Sequence, residues 1–350
     1  MTTSKDVYLV LGGDVFVGRH VVERLKARGD MVSVFDSSQK HVDVPFYSGE
    51  ITIPEQISSA IQKSGATCVI HTISPLSIRN RDNLQVFYQV NVEGTKNVLE
   101  AAKAFGVRKL IYYGSSGVVF DGSDIVNGDE RLPYPKKHLD PYTESRAMAE
   151  KLVLDANGKD GLKTVCIRPC GVFGPGDPET LVGAYESWKR GMTHVQLGNN
   201  KNLFDKTYVS NITLAIVLAA DKLHISDGIA GQVFFVSNND PWPFWDFMRA
   251  LWTGFDAIFP DHPKNEKKPV VIPRAFAMLL AYIMQFVGWL KGSKEQTLTP
   301  YTVTFATATM YFNSAKAKRL LGYEPEVGVR EGIQRTLEWF KAETEAGNRH

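Results

Sequence analysis

The 350 residues include 40 basic and 38 acidic side chains, a net charge of +2, with 43% hydrophobic residues. That is enough apolar chain for one large core or two unequal ones, and the even charge balance offers no polyanion-binding surface, so nucleic acid is excluded as an expected partner. Three cysteines, Cys68, Cys166 and Cys170, without a signal-peptide pattern or a nearby histidine cluster, point to a reducing intracellular compartment and to no metal site.

An apolar run at 7–11 breaks into Gly12-Gly13-Asp14-Val15-Phe16-Val17-Gly18 and then enters a helical pattern over 21–28. A strand that ends in glycines before a helix is how an α/β protein grips a dinucleotide pyrophosphate. The glycines allow close backbone approach, and the helix start offers N–H groups and a positive dipole end. Glycines also close ordinary strand–helix turns. Val15 stands where such loops usually carry a further glycine, leaving Gly12, Gly13 and Gly18. The next strand pattern, 31–35, ends in Asp36, at the spacing where a carboxylate meets the adenosine ribose hydroxyls. Ser37 and Ser38 follow with no arginine to meet a 2′-phosphate, which favours NAD over NADP.

Further strand-like runs fall at 68–73, 109–113 and 164–167, separated by helical patterns at 54–63, 84–104 and 142–156. This alternation predicts an α/β fold with a doubly wound, Rossmann-type parallel sheet. A dinucleotide-binding core is expected over 1–175, with sheet strands returning near 205–240. A smaller substrate-binding region is expected over 176–350, parts of it folded over the carboxyl edge of the sheet. Within that region, 275–290 is apolar except for Gln285 and is flanked by Lys267, Lys268, Arg274, Lys291 and Lys294. Three readings stand: a buried core helix, a helix lying against a membrane with Trp289 at its end, and a transmembrane span, for which the run is short.

Two segments carry chemistry. The strand pattern at 109–113 runs into Gly114-Ser115-Ser116, which puts hydroxyls at the carboxyl edge, on the nicotinamide side of a bound dinucleotide. Asp140-Pro141-Tyr142 opens a helix, with Pro141 suited to its first position. Tyr142 and Arg146, four apart, share a helical face. A tyrosine with an ordinary pKa near 10 is a poor base at neutral pH, and a fixed cation beside it favours the phenolate. A serine hydroxyl can then orient a substrate oxygen while the tyrosine takes its proton. An ordinary Tyr–Arg helix pair beside a serine-rich turn is the plainer alternative.

These segments resemble the extended short-chain dehydrogenase/reductases, in particular the 3β-hydroxysteroid dehydrogenase family and its decarboxylating sterol branch. The resemblance runs nearly end to end. It includes Gly49-Glu50-Ile-Thr, His71-Thr-Ile73-Ser74-Pro75, Asn91-Val-Glu-Gly-Thr95, the run from Arg168 to Asp177, the run from Asn202 to Asn211, and the tail from Ala317 to Pro325 with Glu331-Gly-Ile and Trp339.

The resemblance implies roles. Ser116 would orient the substrate with Ser115 as its neighbour, Tyr142 would be the acid/base, and Arg146 would stand at the family lysine. Asn91 would support the central helix and a proton-relay water. Gly12, Gly13, Val15, Phe16, Val17, Gly18, Asp36, Glu50, Ile73, Ser74, Tyr142, Arg146, Pro169, Gly171 and Val172 would hold NAD. Asp205 and Tyr208 match a strip over the cofactor, a structural turn being the other reading. The implied activity is NAD-dependent oxidation of the 3β-hydroxyl of a sterol, steroid or related terpenoid, with loss of an adjacent C4 carboxylate in the decarboxylating branch. It also implies attachment to the endoplasmic reticulum membrane through 275–290 (a cytoplasmic enzyme being the alternative) and a homodimer paired through the helices near 84–104 and 142–156. Two departures support a second reading, a catalytically weak scaffold or ligand-binding protein among membrane-bound enzymes. Val15 crowds the pyrophosphate turn, and arginine is bulkier, planar and differently directed from lysine.

Overall fold

The computed structural model describes residues 6–76, 83–263, 267–291 and 298–347. The alternating segments form strands β1 (Val7–Leu11), β2 (Met31–Asp36), β3 (Phe46–Ser48), β4 (Cys68–His71), β5 (Lys109–Tyr113), β6 (Lys163–Pro169) and β7 (Gln232–Val236). They pair in parallel throughout, in the spatial order β7-β6-β5-β4-β1-β2-β3. The order reverses between β1 and β4, so their carboxyl ends open the crevice in which such sheets bind ligands.

Both faces are covered, as a parallel sheet requires. Tyr8 and Val10 of β1 face a core built with Val21, Val22 and Leu25 of α1 (Phe16–Arg28). Leu9 and Leu11 face the opposite core, with Ile57 and Ile61 of α2 (Pro54–Ser64). The helical pattern at 84–104 is three pieces: α3 (Leu84–Phe87), a π-helical turn (Tyr88–Glu93) and α4 (Gly94–Ala104). Helix α5 (Pro141–Asp155) shares their face, with Ala149 and Val153 beside Val98 and Ala102. Helix α6 (Val209–Ile225) lies on the other face with α1.

A second, four-stranded sheet joins Ile125–Gly128, Leu203–Phe204, Trp242–Pro243 and Met310–Phe312. Its apolar cluster includes Val118, Cys170, Phe204 and Phe312. The cluster therefore touches the turns that follow β5 and β6, at the carboxyl edge of the main sheet. Helix α7 (Phe244–Ile258) follows that sheet's strand at Trp242–Pro243.

The apolar run at 275–290 lies within helix α8 (Arg274–Lys291). A buried core helix is not what forms. Among the described side chains only a narrow stripe, Ala277, Ala281 and Gly288, is buried, the two alanines against Val303 of α9 (Pro300–Thr307). Phe276, Leu279, Tyr282, Ile283, Phe286 and Trp289 are exposed, Trp289 at 74%. Among the described residues no helix is long and apolar enough to cross a membrane. Lys294 of the expected basic flank lies outside the described residues.

Candidate active site

The glycine turn is shaped by what it leaves out. Gly12 has φ +81°, a left-handed conformation that favours glycine, and a Cβ on it would meet Ile73 and Thr72 at 2.9 Å. A Cβ on Gly18 would sit 2.0 Å from the Gly12 carbonyl oxygen, and one on Gly13 would strike Val34 at 2.7 Å. The Thr72 hydroxyl ties the turn to β4 by donating to the Leu11 carbonyl at 2.8 Å. Val15 occupies the N-cap of α1 with extended backbone and no side-chain cap, so the amides of Phe16, Val17 and Gly18 open the helix with no capping side chain. Its own side chain is 46% exposed. An uncapped helix start behind close-packed glycines suits a dinucleotide pyrophosphate.

Asp36 closes β2, and its carboxylate accepts from the amides of Asp14 (3.1 Å) and Ser37 (2.7 Å). Burial raises its pKa while those amides pull against the shift. Sequence reasoning missed Asp14, which is 1% exposed and accepts from the amides of Lys40 and His41, both at 3.0 Å. It pins the segment after β2 to the glycine turn. Glu50 is exposed ahead of α2, its amide donating to Gln56. Ile73 and Ser74 are half-buried just after β4.

Beyond β5, Ser115 caps a short 3₁₀ turn (Ser116–Val119) by accepting from the Gly117 amide at 3.1 Å. Ser116 is buried. The turn lies directly on the start of α5, where a Cβ on Gly117 would come 3.1 Å from the Thr143 methyl. Helix α5 is opened by Asp140, whose carboxylate accepts from the Thr143 amide at 2.9 Å, with Pro141 in the first turn. This fixes Tyr142 at the sheet edge, half-buried and edge-on to Phe87 with centroids 5.6 Å apart. Burial raises the Tyr142 pKa, while Arg146 and the polar Ser74 side chain pull against that rise.

Arg146 is 1% exposed. It donates through Nη2 to the Tyr113 carbonyl and lies 4.9 Å from the Tyr112 ring centroid. Burial opposes its charge, and Tyr112, Tyr142 and Tyr113 together more than offset that, so its pKa is raised. Nε and Nη1 have no hydrogen-bond partner among the described residues. These buried guanidinium donors thus lack the acceptors that buried donors ordinarily find.

Asn91 lies in the π-helical turn, a conformation frequent at functional sites. Its Nδ2 donates to Ser145 Oγ at 2.9 Å, and Ser145 donates to the Tyr142 carbonyl at 2.8 Å. Asn91 thus holds the first turn of α5. Its Oδ1 is buried and without a partner among the described residues. Thr95 donates to the Asn91 carbonyl and meets His71 Nε2 at 3.1 Å, and His71 packs edge-on to Tyr112 at 5.4 Å. Burial and Arg146 push the His71 pKa down to about 3, so the ring is neutral. Glu150 was also missed, although 142, 146 and 150 share one helical stripe. It is fully buried and pairs with Arg168 (Nε to Oε2, 3.0 Å), locking α5 to β6.

After β6 ends at Pro169, Gly171 has φ +54°, and a Cβ there would lie 2.2 Å from the Asp205 carbonyl oxygen. Thr207 seals this crossing through its amide to the Gly171 carbonyl (3.1 Å) and its hydroxyl to the Cys170 carbonyl (2.6 Å). Val172 pairs there with Thr207. Asp205 accepts from the Phe312 amide at 2.7 Å, and Tyr208 packs edge-on to Phe173 at 5.6 Å. Both contacts serve the crossing.

A family model described as the 3-beta hydroxysteroid dehydrogenase/isomerase family matches residues 9–264. The Candida albicans protein named sterol-4-alpha-carboxylate 3-dehydrogenase, decarboxylating, is 38% identical over 360 residues, covering 97% of this chain and 99% of its own. The human protein of that name is 36% identical over 338 residues, covering 95% and 87%. Among solved structures, the UDP-glucose 4-epimerase of Thermotoga maritima with UDP-glucose aligns with a TM-score of 0.73 at 22% identity, over 96% of this chain and 99% of that one. The Thermus thermophilus UDP-glucose 4-epimerase complex with NAD aligns at 0.70 and 22%, over 95% and 98%. At such identities these two share the fold.

Proposed function

The chain belongs to the 3-beta hydroxysteroid dehydrogenase/isomerase family, and from that premise we propose that it oxidises the 3β-hydroxyl of a sterol carrying a carboxylate on the neighbouring carbon. The observation that carries this reading is the convergence at one sheet edge: the Ser116 turn rests on the start of α5, where Tyr142 and Arg146 sit, beside the glycine cradle. Ser116 orients the alcohol oxygen and Tyr142 takes its proton, with Arg146 favouring the phenolate. NAD, when bound, supplies the hydride acceptor; the turn at Gly12–Gly18, Asp36, Arg146 and the Pro169–Val172 segment would hold it. Loss of the C3 hydride leaves a β-keto acid. Its C4–carboxyl bond then breaks with the electrons held on the ketone oxygen as an enolate, CO₂ departs, and C4 takes up a proton. Ser116 and the protonated Tyr142 face the oxygen on which that charge develops.

Asp36 and the absence of an arginine at Ser37 and Ser38 support NAD over NADP. The exposed aromatic and aliphatic face of α8 supports a helix lying on a membrane such as that of the endoplasmic reticulum. Flotation with phospholipid vesicles tests this, and a Phe286→Glu/Trp289→Glu double variant that floats like the wild type would refute it.

The experiment for the activity is NADH formation at 340 nm with a 4α-carboxy-3β-hydroxysterol, run beside NADP and beside Tyr142→Phe. Turnover with NAD that falls about 10³-fold in Tyr142→Phe, while the variant still binds NAD, is the expected result. No turnover and no NAD binding by calorimetry would leave the scaffold reading instead.

A further inference from the structure

Lys206 is a buried cation that none of the roles above uses. It is 4% exposed, on the segment that crosses over Gly171, between Asp205 and Thr207. Its ammonium is caged by aromatic faces, 4.9 Å from the Phe204 ring centroid, 5.5 Å from that of Phe244 and 4.7 Å from that of Phe247. Cation–π contacts favour an ammonium there but satisfy none of its three N–H donors. Among the described residues it has no hydrogen bond and no carboxylate within ion-pair distance. The Asp177 carboxylate, which favours the charged lysine, is itself taken up by the amides of Glu179, Thr180 and Leu181.

Burial without a partner is costly for a lysine, and an apolar side chain would fill a cage of three phenylalanines without that cost. The cation is not far from the chemistry. Thr207, the next residue, donates to the Cys170 carbonyl at 2.6 Å, and Cys170 packs in one cluster with Phe204 and with Val118 of the turn opened by Ser116, the hydroxyl assigned to the substrate alcohol. Burial lowers the Lys206 pKa to about 8, which leaves it mostly charged at neutral pH.

We infer that Lys206 receives the substrate's carboxylate, the unpaired ammonium being the anion-recognising group of the site. This rests on the oxidation proposed above, in which the carboxylate is borne on the carbon next to the alcohol. The ion pair completes the lysine's hydrogen bonding and selects carboxylated over neutral sterols, so Lys206 is a specificity residue and takes no part in proton or hydride transfer.

The test compares a 4α-carboxy-3β-hydroxysterol with the same sterol lacking the carboxylate, for the wild type, Lys206→Met and Lys206→Arg. Lys206→Met should lose about 100-fold in kcat/KM on the acid and change little on the neutral sterol, with NAD affinity and melting temperature retained. Lys206→Arg should recover part of the loss. Equal losses on both sterols, or none on either, would overturn the inference. So would a borohydride-trapped adduct on Lys206, which would mean covalent attack by the amine. Direct binding of the two sterols in detergent micelles with NAD present separates this inference from the oxidation itself. Lys206-dependent binding of the acid without turnover would keep the carboxylate site and remove the oxidation, whereas acid binding indifferent to Lys206 would remove the site.

Discussion

The two halves of the site lie on one sheet edge and are made by opposite means. After β1 the chain makes room by omission, with Gly12, Gly13 and Gly18 packed so closely that a methyl group on any of them meets an atom within 3 Å. At the start of α5 it fills the interior with polar side chains, and Arg146, His71, Thr95, Asn91 and Glu150 are all buried. The first half is damaged by adding an atom and the second by removing one. A cradle for a ligand's backbone-like phosphates needs close approach, whereas a reacting side chain needs a surround that holds it still.

The contrast is broken most severely at the Glu150–Arg168 pair. Glu150→Gln leaves a buried guanidinium without its counter-ion, and should cost about 3–5 kcal/mol in urea unfolding. Adding Arg168→Gln should recover part of that, and a single variant as stable as the wild type would mean that the pair does not hold α5. Next comes the glycine half. Gly18→Ala should weaken NAD binding by about 100-fold in calorimetry, since the turn must shift to admit the methyl group. Gly65→Ala, at a helix end with nothing within 4 Å of the added Cβ, should bind NAD as the wild type does. Equal behaviour of these two variants would erase the distinction between a cradle and a cap.

The smallest effect is a slope with pH. His71 is held near a pKa of about 3 in the folded chain against an ordinary value of 6.5. The unfolded chain therefore binds the extra proton between those values. This part of the stability is whole above pH 6.5 and is lost as pH falls toward 3, at no more than about 1.4 kcal/mol per pH unit. Unfolding at pH 5 and pH 7 should show a shallower difference in His71→Gln, and an unchanged difference would place the acid sensitivity elsewhere.

The glycine half was open to reading from the residues because its signal is local: apolar run, glycines, helix, then Asp36 at the right spacing. Five of the seven strands of the parallel sheet were legible for the same reason, as apolar runs, whereas β3 is three residues long and gave no such run, and β7 was expected only as a strand returning near 205–240. The polar half was legible only at Tyr142 and Arg146, which share a helix. Asn91 reaches Ser145 across 54 positions and Asp14 reaches Lys40 and His41 across 26 and 27, and no periodicity announces such pairs. The four-stranded sheet escaped because its strands are two to four residues long, below the length at which alternation can be counted. The apolar pattern of α8 could not say whether its face would find a protein partner, and most of it does not.

The π-helical turn at Tyr88–Glu93 sets the phase of everything before it. One residue more per turn than an α-helix lets the chain on its two sides face directions that a continuous α-helix would not combine. Ahead of it Phe87 meets the ring of Tyr142, and within it Asn91 points into the first turn of α5. Removing one residue there would restore ordinary spacing and swing the upstream turn by about 100° around the axis, carrying Phe87 away from the ring it touches. The alignment of the Tyr142 phenol thus depends on a surplus residue in a neighbouring helix, whatever that residue's own side chain.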